Sequence, residues 1–294
     1  MKLICGLFGL ENLYGGEISS YIEISKMAEN HGFDSVSLTD HLVMGKNLQN
    51  YPFGTFPLPS DSNWFEPLTT LTMIASHTST IKLATAIIIA PLRNPAVLAK
   101  TLSTLDSISN GRLELGVGLG WQKEEYDVAG ISFDEKEERF WETLDVIKLL
   151  HGPNPVSFKG KFFEFSDIWC KPEIKQKEIP ILFGVKMTDK NANRISAVGD
   201  GWIPIKTSPD FIKNGSELLH DAFKKADRSE IPRIRGQLPT QLNEDNIPDL
   251  SKTLDCLQLS MDAGLNEVEF FPINFCQSPD QLDLVLGEIS KVVK

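Results

Sequence analysis

The segment KLATAIIIAPLRNPAVLAKTLSTLDSISNGRLELGVG, residues 82–118, contains the unit that sets the fold. It begins with the apolar run Lys82–Ile89 and ends with the apolar run Leu113–Gly118. Between them Pro95–Ser109 has the apolar spacing of a helix, with proline at the first helical position. Neither apolar run alternates cleanly, which is typical of parallel strands covered on both faces. The segment therefore predicts a strand, a helix and a second, parallel strand.

The same alternation of short apolar runs and amphipathic patterns continues along the chain. The other predicted strands are Leu3–Phe8, Ser35–Thr39, Ile179–Gly184, Gly201–Ile205, Ile231–Gln237 and Glu267–Pro272. The other predicted helices are Glu17–Asn30, Trp64–His77, Glu135–Leu150, Lys190–Val198, Pro209–Ala226, Ile247–Ala263 and Ser278–Val293. Eight strands, each followed by a helix, predict a TIM (β/α)8 barrel in a single domain, residues 1–294. A doubly wound sheet is disfavoured because no G-x-G-x-x-G fingerprint is present.

Two segments interrupt this alternation. Gly152–Lys177 is predicted to be an insertion with a small hairpin, Val156–Phe158 and Phe162–Phe165. His41–Asn63 is a long loop containing YPFGTFPLP, and we predict that it covers a site. Its aromatic residues, which suggest an apolar pocket, are Tyr51, Phe53 and Phe56, with Trp64 directly after the loop. Packing in the core would explain Phe56 and Trp64 equally well.

The composition is typical of a reduced, acidic, globular protein. The chain has 294 residues, 41% of them hydrophobic, which is enough to bury a large core. Its four cysteines are scattered, as in cytosolic proteins. The N-terminal MKLICGLFGLENLYGG is too briefly apolar for a signal peptide, and no run reaches the roughly 18 apolar residues of a membrane span. The net charge of −11 repels phosphate backbones. We therefore expect a cytoplasmic protein that binds neither membrane nor nucleic acid.

His41 is the histidine that directly follows a predicted strand. The other four, which fall in or at the ends of predicted helices, are His31, His77, His151 and His220. Active sites of such barrels lie at the C-terminal ends of the strands. We therefore expect His41 to act as a general acid/base or to contact a cofactor, and Asp40 to set its tautomer or bind the ligand. The alternative is that His41 is a loop histidine whose hydrogen bonds are satisfied by Asp40 or by the backbone.

The sequence lacks the residue patterns that other kinds of catalysis require. There is no H-x-H pair for a metal hydrolase and no G-x-S-x-G for a serine nucleophile, so we expect no metal site. Lys206 follows the sixth predicted strand, so a mechanism in which a lysine forms a Schiff base with the substrate stays an alternative. A site with one histidine suggests that a cofactor carries out the difficult step.

Two stretches suggest where such a cofactor binds. GRLELGVGLGW, residues 111–121, ends in glycines that either admit a flat ring or phosphate or simply pack the barrel. ILFGVKMTDKNANRISAVGDGW, residues 181–202, runs from a strand into a helix. There Lys186 and Thr188 either form an anion site or belong to an ordinary capped loop.

Four motifs stand in the order and spacing of a known family. They are LTDHLVMG, the run from IIIAPLRNP to LDVIKLL, VSFKGKFFEF and GDGW. Together they resemble the bacterial luciferase-like superfamily of flavin and deazaflavin oxidoreductases, over roughly residues 1–205. The branch that they resemble most is that of deazaflavin (coenzyme F-420)-dependent oxidoreductases.

The resemblance implies a homodimeric TIM-like barrel in which the insertion helps to cover a tricyclic ring at the C-terminal mouth. It implies that Asp40 and His41 contact this ring and that His41 faces the reacting position. It places a non-proline cis peptide at Ala86–Ile87, in a bulge behind the ring.

The resemblance also places a phosphate loop at Gly184, Val185 and Thr188, and here the chain departs from the family. Family members commonly have two glycines after the fifth strand, whereas the second position is Val185. Sugar-phosphate dehydrogenases of the superfamily carry an acidic proton donor where Trp121 stands. We therefore expect a different substrate and an aromatic wall. Glu124 or Glu125 could serve instead, but the sequence singles out neither.

Three functions follow as hypotheses. The first is hydride transfer between coenzyme F-420 and an organic substrate, with His41 moving the coupled proton and Asp40 orienting it. The second is an FMN-dependent monooxygenase supplied with reduced flavin by a separate reductase. The third is a flavin-binding protein without turnover. The predicted cofactor-binding residues are Asp40, His41, Ala86, Ile87, Gly118, Gly120, Trp121, Gly184, Val185 and Thr188.

Overall fold

The structure is a computed structural model that describes residues 1–52, 54–56 and 58–293. Phe53, which we predicted to contribute to the pocket, lies outside the described residues. The strands are β1 (Lys2–Gly6), β2 (Ser35–Leu38), β3 (Lys82–Thr85), β4 (Ile88–Ile89), β5 (Leu113–Gly118), β6 (Val156–Lys159), β7 (Glu164–Ile168), β8 (Ile181–Gly184), β9 (Gly201–Trp202), β10 (Arg233–Gly236), β11 (Gln241–Leu242), β12 (Pro248–Asp249) and β13 (Glu267–Phe270). The α-helices are α1 (Ser20–Asn30), α2 (Pro67–Ala75), α3 (Pro95–Ile108), α4 (Lys123–Ala129), α5 (Lys136–His151), α6 (Asp189–Val198), α7 (Pro209–Lys225), α8 (Leu250–Leu254), α9 (Leu257–Asp262) and α10 (Pro279–Val293).

The barrel is closed and parallel, as the sequence predicts. β1 pairs with β2 and β13, and the sheet continues from β13 through β10, β9, β8 and β5. β5 also pairs with β3, and β3 pairs with β2, which closes the ring. β3 and β4 together form one interrupted wall strand, so the described residues give eight wall positions with helices outside. The predicted TIM barrel is confirmed.

A layer of charged residues lies inside the barrel, towards the N-terminal ends of the strands. Arg233 begins β10 and Arg235 follows on the same face, while Glu114 and Glu267 come from β5 and β13. Arg235 donates to Glu267 over 2.8 Å and also to Glu114, and Arg233 donates to both carboxylates. This layer fills one end of the barrel and leaves the other end for a site.

The insertion contains the predicted hairpin. β6 and β7 pair in antiparallel fashion, with Phe158 opposite Phe165. Phe158 and Phe165 also stack, with ring centroids 6.0 Å apart.

Two helical predictions need correction, and one short helix was not predicted. α2 begins at Pro67 rather than Trp64 because the Glu66 side chain caps it by accepting from the Thr69 N–H over 2.6 Å. The segment predicted as one helix, Ile247–Ala263, contains β12, α8 and α9, although its apolar spacing continues across the breaks. α4 was not predicted, since only seven residues form it and most of them are polar. No helix within the described ranges is long and apolar enough to cross a membrane.

Candidate active site

A cavity of about 600 Å³ opens at the C-terminal ends of the strands. This volume is in the usual range for small-molecule sites. Eight of the ten predicted cofactor-binding residues line it, namely Asp40, His41, Ala86, Ile87, Gly120, Trp121, Gly184 and Val185. Gly118 and Thr188 do not. Residues that the sequence analysis did not place here include Thr39, Asn50, Leu119, Phe133, Lys136 and Ile205.

His41 is held by a carboxylate from another element. Its Nδ1 lies 3.2 Å from Oε2 of Glu125 in α4, and the Leu42 N–H donates to Oε1 of Glu125 over 2.8 Å. The Glu125 side chain is fully buried, and that of His41 is 10% exposed. A carboxylate can only accept, so the neutral imidazole carries its proton on Nδ1. Nε2 then remains as the atom that can accept a proton.

Asp40 does not orient His41, and this part of the sequence prediction is wrong. Its carboxylate accepts from both terminal nitrogens of Arg93, over 2.6 and 3.0 Å, and from the Ile89 N–H over 2.8 Å. Burial alone would lower the pKa of Arg93, but the charge and hydrogen bonds of Asp40, aided by Glu66, raise it. Asp40 therefore fixes the backbone that follows the interrupted strand.

Aromatic side chains surround His41. Its ring lies 4.5 Å from that of Trp64 and 6.2 Å from that of Trp121, between centroids. Tyr51 contacts Trp121 at 5.1 Å and Phe56 at the same distance, so the loop after β2 closes over Trp121. This is the aromatic wall that Trp121 led us to expect. It gives one side of the cavity an apolar surface.

Two polar atoms in the cavity lining are buried without a hydrogen-bond partner. Within the described part of the chain, they are Thr39 Oγ1 and Trp64 Nε1. Buried polar groups are normally paired, because an unpaired one costs about 1–3 kcal/mol. Both atoms are available to a ligand with polar groups.

The bulge behind the cavity is the one that the resemblance implies. The Ala86–Ile87 peptide is cis and separates β3 from β4. The Ile87 side chain then lies over two glycines, because a Cβ on Gly118 would meet Ile87 Cδ1 at 2.7 Å and one on Gly184 would meet Ile87 Cγ2 at 2.8 Å. Gly118 thus makes room for Ile87 rather than for a ligand, which corrects its predicted role.

The sequence of this barrel was compared with known families. The model of the luciferase-like monooxygenase family matches residues 5–246. The chain belongs to this family. Members of the luciferase-like family are oxidoreductases or monooxygenases.

Luciferase-like relatives and neighbours include enzymes of two kinds. The chain is 29% identical over 274 residues to an F420-dependent glucose-6-phosphate dehydrogenase of Kineococcus radiotolerans, covering 89% of this chain and 75% of that protein. The monooxygenase RslO1 from Streptomyces bottropensis superposes with a TM-score of 0.83 at 18% identity, over 100% of this chain and 98% of that one. An F420-dependent secondary alcohol dehydrogenase, solved with an F420-acetone adduct, superposes with a TM-score of 0.75 at 18% identity, over 99% and 98%. At these identities the superpositions show the fold.

In the expected phosphate loop of this luciferase-like chain, two residues make hydrogen bonds within the protein. The Thr188 hydroxyl accepts from the Asn191 N–H over 3.2 Å and caps α6. The Val185 carbonyl accepts from Trp202 Nε1 over 2.9 Å. Lys186 lines the cavity, and Asn191 Oδ1 is buried without a partner among the described residues. An anion here would contact Lys186 and the turn before α6.

Proposed function

We propose that this protein is an oxidoreductase that binds coenzyme F-420 in the cavity at the C-terminal end of the barrel and transfers a hydride between it and a small organic substrate. The observation that carries the proposal is His41, whose Nδ1 is occupied by buried Glu125 and whose Nε2 is left for proton transfer. This arrangement suits a reaction in which a hydride and a proton move together.

The lining fits a flat, partly polar ring. The cis bulge at Ala86–Ile87 and the small residue Gly184 form one group of lining residues, and the aromatic side chains around His41 form another. Thr39 Oγ1 and Trp64 Nε1 offer hydrogen bonds that nothing described in the protein uses. A bound deazaflavin would supply the hydride acceptor or donor at carbon 5 of its ring.

The protein's own residues would supply the remaining steps. His41 Nε2 would take the proton of a substrate hydroxyl, or return it to a carbonyl in the reverse direction. Glu125 would hold the imidazole in the required tautomer and stabilise its cationic form. The Asp40–Arg93 pair would keep the backbone between β4 and α3 in place, and Trp64 and Trp121 would keep water away.

The similarity to an F420-dependent dehydrogenase over most of the chain supports this choice of cofactor. We do not extend that relative's sugar-phosphate substrate to this protein, because Trp121 replaces the expected acidic group with an apolar surface. A substrate with an apolar body suits the aromatic wall better.

A second function is favoured by the superposition on the monooxygenase RslO1 along the whole chain. In that case the cavity would bind reduced FMN delivered by a separate reductase, and oxygen would be a substrate. The same phosphate loop and ring site would serve both cofactors. A measurement of the affinity for each cofactor therefore decides between the two functions.

The test is a fluorescence titration of the apo-protein with coenzyme F-420 and, separately, with FMN. We expect micromolar or tighter binding of F-420 and at least about tenfold weaker binding of FMN. His41→Asn should bind F-420 within about threefold of wild type, yet lose reduction of the bound ring by a panel of secondary alcohols. Preference for FMN, with oxygen uptake, would select the monooxygenase, and binding of neither ring would refute both functions.

A further inference from the structure

A second cavity of about 590 Å³ lies beside the first, between the start of α5 and the insertion. Its lining includes Leu92 and Ile131, while Ile89 and Phe133 line the main cavity. All four belong to one small hydrophobic cluster around Tyr126. The two cavities are therefore neighbours, separated by this cluster and by the chain segment that leads into α5.

Two cations stand one helical turn apart at this boundary. Lys136 lines the main cavity and Arg139 lines the second. Lys136 Nζ lies 3.5 Å above the Phe133 ring, and Arg139 donates from Nε to the Pro91 carbonyl over 3.2 Å. Residues three apart on a helix face the same side, so one extended ligand can reach both.

Among the described residues neither cation has an ion-pair partner, although the chain has a net charge of −11. Within the described ranges, no carboxylate oxygen lies within 4.0 Å of Lys136 Nζ or of the Arg139 guanidinium. Nearby basic residues differ, since Lys161 pairs with Glu135 and Glu138. Glu135, which also lines the second cavity, and Glu138 are thus bonded to Lys161, and the two lining cations remain available to a ligand.

Partial burial further destabilises the charged forms of Lys136 and Arg139. It lowers the pKa of Lys136, with Asp134 opposing, and lowers the pKa of Arg139, with Glu142 and Glu135 opposing. A partly buried cation without a counterion is unfavourable, and an anionic ligand would offset that cost.

We propose that Lys136 and Arg139 form a binding track for the anionic tail of the cofactor whose ring occupies the main cavity. Coenzyme F-420 continues beyond its ribityl chain through a phosphodiester to a series of glutamyl carboxylates, whereas FMN ends at a single phosphate. A ligand chain that leaves the main cavity past Lys136 would meet Arg139 in the second cavity. The track rests on the proposed function and would select the tailed deazaflavin over FMN.

The test uses three ligands that share the deazaflavin ring. They are the nucleoside that ends at the ribityl hydroxyl, the form that ends at the phospholactyl group, and F-420 with several glutamyl units. Dissociation constants are measured by fluorescence for wild type, for Lys136→Met/Arg139→Met, and for Lys224→Met/Lys225→Met. The last variant changes the net charge equally at exposed positions near the end of α7.

We expect the Lys136→Met/Arg139→Met variant to bind full-length F-420 roughly tenfold more weakly and the nucleoside as wild type does. The α7 variant should bind all three ligands as wild type does. An unchanged affinity for full-length F-420, or an equal loss for the nucleoside, would overturn the track while leaving the proposed function intact. Failure of wild type to bind any of the rings would overturn both.

Discussion

His41 and Asp40 are neighbours in the chain, yet each is held by a different part of the barrel. His41 is bonded to Glu125 from α4, and Asp40 is bonded to Arg93 and the Ile89 N–H. The sequence placed both residues at the strand ends, because the strand before them is short and apolar. It could not show their partners, since these are brought in by other elements, and α4 itself was not predicted. His41 is therefore placed to transfer a proton, whereas Asp40 holds the backbone around Ile89 and Arg93 in position.

The tautomer of His41 is therefore predicted to depend on Glu125. In Glu125→Leu the acceptor for the Nδ1 proton is lost, so the proton should move largely to Nε2, and the freed Leu42 N–H should cost about 1 kcal/mol. The measurement is the pair of imidazole ¹⁵N shifts of His41 at a pH where the ring is neutral. Glu124→Gln is the control, because Glu124 bonds to Asn47 instead. Identical ¹⁵N shifts in wild type and Glu125→Leu would contradict the assignment.

At the scale of elements, the interrupted wall strand shapes the end of β5, which lies beside it, and the end of β8, which is one strand further on. The wall strand predicted as Lys82–Ile89 is present but divided by the cis peptide, and its Ile87 side chain lies over Gly118 and Gly184. The glycine pattern was visible in the sequence and correctly marked a close approach. What approaches Gly118 is a side chain of the neighbouring strand, and a single sequence does not distinguish that from a ligand.

Gly118→Ala should consequently destabilise the protein by about 1–3 kcal/mol, since the new methyl group would overlap Ile87. Ile87→Ala removes the overlapping atoms, so the double variant should be less destabilised than the sum of the two single variants. Urea denaturation of all four proteins gives the coupling energy. Additive losses would mean that Gly118 is required for some reason other than the space that Ile87 occupies.

At the scale of the whole molecule, the repeated strand–helix pattern was enough to predict the barrel and the end that carries the site. Hydrophobic periodicity is a local property of the sequence, so it can be recognised without knowing which residues are in contact. The distribution of charge inside the barrel was not predicted, because Arg235 and Glu114 are joined only when the ring closes. One end is therefore filled by ionic contacts and the other by a cavity, which lets the site vary while the barrel is held together elsewhere.

Arg235 is predicted to be the residue on which this ionic layer depends most, because its side chain is 1% exposed and it bonds to both Glu114 and Glu267. Arg235→Met should lower the free energy of unfolding at pH 7 by about 3–5 kcal/mol, since two carboxylates lose a buried partner. Lys82→Met, which removes a partner of Glu114 that is 43% exposed, should cost no more than about 1 kcal/mol.

The loss in Arg235→Met should also depend on pH. Burial opposes the effect, but Arg235 and Arg233 lower the pKa of Glu114 and of Glu267 in the folded protein. Their contribution is thus present above the unfolded pKa of about 4.3 and is lost as the pH falls through the lowered folded values. Without Arg235, Glu114 and Glu267 keep Arg233 but lose their most buried partner, so their pKa in the folded variant should be higher than in wild type. Protonation of these carboxylates would then recover part of the lost stability, so the stability difference from wild type should narrow between pH 7 and pH ~4.5. Urea denaturation at both pH values measures it, and an equal difference at the two would show that Arg235 acts through packing instead of charge.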